Sequence, residues 1–172
     1  MKKIKTKFKD LYIFQSKNHL DNRGFFRELI IEKNLKSKLN FFVVSKSKKN
    51  VIRGLHFQLN NPQGKYLSVL KGKIFDIAVD CRPKSKTFGK YFRVVLSDKN
   101  CKSIFIPPGF AHGFLGMSDE NIVMYGCTNY RDKKSEFGIK WNDSFLNIKW
   151  PLKKPIISKK DKINKSFSFY FN

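Results

Sequence analysis

Acid is what this sequence lacks most: 13 Asp and Glu stand against 36 Lys and Arg in 172 residues, a formal net charge of +23. An acidic, solvating chain is excluded, and the first expectation is a polyanionic partner: nucleic acid, a membrane surface or a small phosphorylated ligand. Arginine is scarce too, at six of the 36 cations, and alanine occurs twice against 14 Asn, 15 Ile and 18 Phe. That profile matches drift toward A/T-rich codons. Nucleic-acid readers favour the planar fork of Arg, whereas Lys suits any solvated surface, so most of the charge reads as a lysine coat and no nucleic-acid partner is expected. Cysteine is limited to Cys81, Cys101 and Cys127, an odd number without CxxC spacing. This excludes a disulfide framework and predicts free thiols in the reducing cytoplasm. No long apolar run is present. The basic segment Met1 to Phe14 has no signal-peptide core, and nothing approaches the roughly 20 apolar residues of a membrane span, which predicts a soluble protein without a membrane partner.

What is present is material for one hydrophobic core: 41% hydrophobic and 15% aromatic residues predict a single domain over 1–172. From residue 41 to 130, short β segments alternate with turn residues: Tyr66–Leu70, Ile74–Asp80, Tyr91–Leu96, Ser103–Ile106, Gly113–Met117 and Ile122–Thr128. The spacing predicts an all-β fold, two sheets rolled into a jelly-roll barrel so that few edges stay open. Short helices are expected only at the periphery, over Glu32–Leu39 and over Lys159–Ile163 behind the capping residue Ser158. From Lys153 onward the composition shifts to Lys, Ser and Phe.

Three histidines occur, and His19 lies in a polar stretch that gives it no role. His56 lies in Arg53-Gly54-Leu55-His56-Phe57-Gln58, and His112 in Pro107-Pro108-Gly109-Phe110-Ala111-His112. Pro-x-Gly-x-x-His resembles the second motif of the cupin superfamily of small jelly-roll barrels. Its metal-binding version needs a His-x-His pair and a Glu that the His56 segment lacks, so no metal is expected. Arg53 and His56 have opposite parity, and a regular strand would send them to opposite faces. Gly54 permits a bulge that brings both to one face.

The resemblance extends through Asp21-Asn22-Arg23-Gly24-Phe25-Phe26, Pro62-Gln63-Gly64-Lys65, Gly72–Asp80, Thr87-Phe88-Gly89, Ile106–Phe114 and Gly138-Ile139-Lys140-Trp141-Asn142-Asp143. In this order, from about Ile4 to Asp161, these stretches resemble the dTDP-4-dehydrorhamnose 3,5-epimerase family, metal-free cupins that act on nucleotide sugars without a cofactor. The resemblance implies an isomerase whose substrate is a nucleotide-diphosphate 4-keto sugar, in deoxysugar or heptose synthesis for surface polysaccharide. Protons at carbons 3 and 5 of such a sugar are acidic because each carbon flanks the carbonyl. A base on one face, an acid on the other and a cation at the carbonyl oxygen suffice to invert them.

By resemblance the base is His56, oriented by Asp161. Tyr125 is the proton donor, made more acidic by a positive site, and Lys65 stands at the enolate oxygen. Arg23, Glu28, Arg53, His112, Glu136 and Lys160 match substrate-contacting positions. The family's N-terminal segment reaches into a second subunit, which implies a homodimer with strand exchange in which Arg23 and Glu28 complete the neighbouring site. Where the family carries polar nucleotide readers, this chain has Phe41-Phe42-Val43-Val44-Ser45. That run predicts a base other than thymine stacked on Phe41 or Phe42, with guanine first, as in GDP-4-keto-heptose epimerases. Two other readings are a ketoisomerase, disfavoured by Gln58 in place of a second His, and a sugar-nucleotide-binding cupin without catalysis.

Overall fold

The computed structural model describes residues 1–171. In them the chain forms β1 (Lys2–Lys5), β2 (Tyr12–Gln15), β3 (His19–Asp21), β4 (Gly24–Phe26), β5 (Phe41–Lys48), β6 (Val51–Gln58) and β7 (Lys65–Lys71). There follow β8 (Lys73–Asp80), β9 (Tyr91–Ser97), β10 (Lys102–Ile106), β11 (Phe110–Gly116), β12 (Glu120–Cys127), β13 (Glu136–Gly138) and β14 (Ile156–Ile157), then the short helices α1 (Lys159–Lys162) and α2 (Phe167–Phe171). One sheet has the order β1-β2-β10-β7-β12-β5 and the other β13-β6-β11-β8-β9, with β14 added parallel to β6. Hairpin β3–β4 stands apart as a two-stranded ribbon.

The two sheets pack as a jelly roll over Leu67, Val69, Ile104, Ile106 and Val123 from one and Ile74, Ala78, Leu96, Phe110 and Phe114 from the other. Behind the second sheet, Leu55, Phe57, Ile77, Val79 and Ala111 are covered by Ile139, Leu146 and Phe167. Strands β8 and β11 are therefore buried at nearly every position, because both of their faces are covered, and the acids Asp76 and Asp80 of β8 are buried with the rest. The Lys/Ser/Phe segment contributes Phe167 and the partly buried Phe171 to that cover, whereas Phe169 stays exposed.

The all-β expectation holds, with two local differences. Glu32–Leu39 is not a helix; only Glu32–Asn34 makes a single 3-10 turn. Eight residues are too few to hold a helix without a packed face, and here the Glu32 carboxylate accepts from the Leu39 N–H at 3.0 Å, folding the segment into a loop. Strand β11 starts at Phe110, three residues before the expected Gly113, which puts His112 inside a strand. The C-terminal helix forms behind Ser158, whose Oγ accepts from the Asp161 N–H at 3.0 Å.

The expected bulge is present. His56 pairs with His112 and Arg53 with Phe114, so Gly54 and Leu55 together oppose Gly113. Gly54 has φ +127°, and a Cβ there would meet Gly113 Cα at 2.6 Å and His112 O at 2.7 Å. With this extra residue in the strand, Arg53 and His56 both line one cavity despite their opposite parity.

Candidate active site

A cavity of about 740 Å³ opens between the sheets. His56 and His112 line it from β6 and β11 of one sheet, while Lys65 and Tyr125 line it from β7 and β12 of the other. Cross-strand register orders that second wall: Phe41, Cys127 and Lys65 form one row, and Val43, Tyr125 and Leu67 the next. Period-two alternation turns each row inward.

His56 Nε2 lies 2.6 Å from Asp161 Oδ1, and the Asp161 carboxylate is buried at 5% exposure. Burial alone would raise the Asp161 pKa. The hydrogen bond with His56, the His56 charge, the Gly54 N–H and Ser158 outweigh it and hold the carboxyl below its ordinary value. A carboxylate acceptor fixes the imidazole with its Nε2–H toward Asp161 and frees Nδ1 for the cavity. Helix α1 delivers this carboxylate through the Ser158 cap.

Lys65 meets no carboxylate or hydrogen-bond acceptor among the described residues. Desolvation pushes its ammonium pKa down, against the opposing pull of Cys127, Glu136 and Asp76. Burial raises the Tyr125 pKa; Arg53 and Arg131 act in the opposite direction but are outweighed. The phenol thus holds its proton at neutral pH, and the expected acidification is smaller than the desolvation it opposes. Arg53 is clamped, its Nε donating to Ser47 Oγ at 2.8 Å and its Nη2 to Lys46 O at 2.9 Å.

Of the substrate-contacting residues anticipated from sequence, Arg53, His112, Glu136 and Lys160 line the cavity. Arg131 and Lys160 both bind the Glu136 carboxylate, and the Arg131 hydrogen bond is the main reason its pKa falls to about 2. Arg23 and Glu28 are exposed and lie outside the chain's own cavity; Arg23 pairs with Asp21 at 2.6 Å. Phe41 lines the cavity and stacks on Tyr130, ring centroids 5.6 Å apart and planes 7° apart, whereas Phe42 faces outward. Sequence reasoning missed Arg131, which its rarity in a lysine-rich chain could have flagged, and Asp76, which touches His112 and which its place as a lone acid between Ile74 and Val79 could have flagged. Among the described residues, no three His, Cys, Asp or Glu are grouped to hold a metal, and no helix is long and apolar enough to cross a membrane.

A family model described as dTDP-4-dehydrorhamnose 3,5-epimerase matches residues 5–168. The chain belongs to this family. It is 44% identical over 168 residues to the dTDP-4-dehydrorhamnose 3,5-epimerase of Shigella flexneri, covering 94% of this chain and 93% of that one. The enzyme of the same name from Methanothermobacter thermautotrophicus is 43% identical, over 92% and 90% of the two chains. Among solved structures, dTDP-6-deoxy-D-glucose-3,5-epimerase from Legionella pneumophila in complex with dTDP-4-keto-L-rhamnose superposes with a TM-score of 0.92. That protein is 40% identical, with 97% of this chain and 93% of that one covered. The Bacillus anthracis dTDP-4-dehydrorhamnose 3,5-epimerase, with TDP and PPi bound, also gives 0.92 at 37% identity, over 96% and 98%. The protein is therefore a nucleotide-sugar epimerase of the cupin-like jelly-roll type, and the His56 imidazole and the Tyr125 phenol line one cavity from its two sheets.

Proposed function

We propose that this protein, acting as one catalytic domain over 1–172, is a cytoplasmic 3,5-epimerase of a dTDP-linked 4-keto-6-deoxy sugar. The reading rests on one arrangement: a carboxylate-oriented imidazole on one wall of the cavity and a protonated phenol on the other. His56 Nδ1 removes the proton from carbon 3 or carbon 5, and Asp161 stabilises the imidazolium that forms. Electrons from the broken C–H bond move onto the carbonyl oxygen, where Lys65 meets the developing negative charge. Tyr125 returns a proton from the opposite wall and inverts the centre. Arg53, held by Ser47 and Lys46, together with Lys160 and Arg131, gives the cavity the positive lining a diphosphate requires.

The working unit is a homodimer in this reading. Hairpin β3–β4 exposes Leu20 at 80%, Phe25 at 59% and Phe26 at 69%, and β5 is an open sheet edge whose Phe42 and Val44 are exposed. Docking the hairpin of a second copy there would cover both surfaces and bring its Arg23 and Glu28 to the cavity. The relatives above are named for dTDP sugars, so the expectation of guanine finds no support among them; the apolar wall of Phe41 and Val43 suits stacking on either base.

Incubation of dTDP- and GDP-linked 4-keto sugars in heavy water tests the reading. Deuterium should enter carbons 3 and 5 of the dTDP sugar, and dTDP should compete more tightly than GDP. Faster labelling of the GDP sugar would restore guanine. Movement of the carbonyl would make the protein a ketoisomerase, and no labelling at all would leave only a binding protein.

A further inference from the structure

Asp76 is a carboxylate with 0% exposure on β8, inside the barrel. Its Oδ2 lies 2.8 Å from His112 Nε2, and its Oδ1 is buried without a partner among the described residues. A buried carboxylate with an unpaired oxygen is unfavourable for stability, and an apolar residue of similar size would remove that penalty. Its one hydrogen-bond partner, His112, faces the cavity and sits directly across the strand pair from His56. The same wall therefore carries two carboxylate–imidazole pairs with the same connectivity, each bonded through Nε2: His56–Asp161 and His112–Asp76.

We propose that Asp76 is a positioning residue that acts through His112. The carboxylate can only accept, so it keeps a proton on Nε2 and leaves Nδ1, unpartnered among the described residues, as the atom His112 presents to the sugar. On the proposed function, His56 works on the carbon acid while His112, fixed by Asp76, orients the sugar beside it. Asp76 also favours the Lys65 ammonium electrostatically, and the test must separate the two routes.

Nitrogen NMR of the histidine rings in the ligand-free protein reads the tautomer without any substrate, so its outcome does not depend on the epimerase reading. A proton on His112 Nε2 is the expected result, and a proton on Nδ1 alone overturns the proposal. In Asp76→Asn, an amide that can donate to Nε2 should move the proton to Nδ1. That variant should also slow deuterium entry at least tenfold, chiefly through kcat. In a His112→Asn background the same substitution should change kcat less than twofold, because its route through His112 is gone. A full, additive loss in that background would assign Asp76 to Lys65 or to simple packing and reject the positioning role.

Discussion

Replacing Asp161 with Asn tests the centre of the mechanism, because it keeps the shape of the side chain and removes its charge. In the resting protein Asp161 Oδ1 is 2.6 Å from His56 Nε2, in a site where the carboxylate is buried. Once His56 has taken the substrate proton, this contact becomes a hydrogen bond between two charged groups. Such bonds contribute about 1.5–3 kcal/mol, and about 1.4 kcal/mol corresponds to tenfold in rate. Because the charge on His56 develops during proton abstraction, the loss falls on the transition state, and kcat and kcat/KM should drop together by roughly 10–150-fold with KM little changed. Asn can also donate its amide hydrogen to Nε2 and turn the imidazole to the wrong tautomer, which pushes the effect toward the upper end. The assay is deuterium entry at carbons 3 and 5 followed by NMR, beside a thermal melt to confirm folding. A folded Asp161→Asn protein with kcat within threefold of wild type would refute the reasoning, since His56 would then work without its carboxylate.

Other expectations follow from the same geometry. His56→Ala should lower deuterium entry at least about a hundredfold, the lower end of general-base contributions, whereas Tyr125→Phe should keep exchange at the His56 face and lose net inversion; chiral analysis of the product separates the two. Gly54→Ala should destabilise the fold by at least about 2 kcal/mol in chemical denaturation, because a side chain there meets both an unfavourable φ and the backbone of Gly113. Glu136 has a depressed folded-state pKa of about 2 against an ordinary 4.5. Its contribution to stability is therefore complete above about pH 4.5 and lost as the pH falls toward 2. Denaturation of Glu136→Gln and wild type across that window should show the difference shrinking as acid is added; a constant difference would mean that the carboxylate charge is not what Arg131 and Lys160 hold.

Much of the molecule was legible before any coordinates. Turn residues at regular spacing marked β7 through β12, because Gly, Pro and Asn-rich turns and apolar segments are local signals. Ser158 announced α1 because a cap acts on its own helix three residues away. Glu32–Leu39 misled for the same local reason: its composition permits a helix, but the long reach from the Glu32 side chain to the Leu39 N–H decides against one. His56, Tyr125, Lys65 and Asp161 were recognisable as a set only through ordered motif resemblance, since 105 positions separate His56 from Asp161 and no periodicity connects them.

By itself, then, the sequence determined the β architecture, the lysine coat, the family pattern and the need for a bulge at Gly54, because each is written in neighbouring residues or in side-chain parity. Tertiary structure alone decided what those side chains face. Sheet register placed imidazole opposite phenol, turned Phe41 inward and Phe42 outward, and left Arg23 and Glu28 outside the cavity of their own chain. It also brought Arg131 to Glu136 and Asp76 to His112. Burial and distance set the charge of a group, and both are properties of the packed sheets that no local stretch of sequence contains.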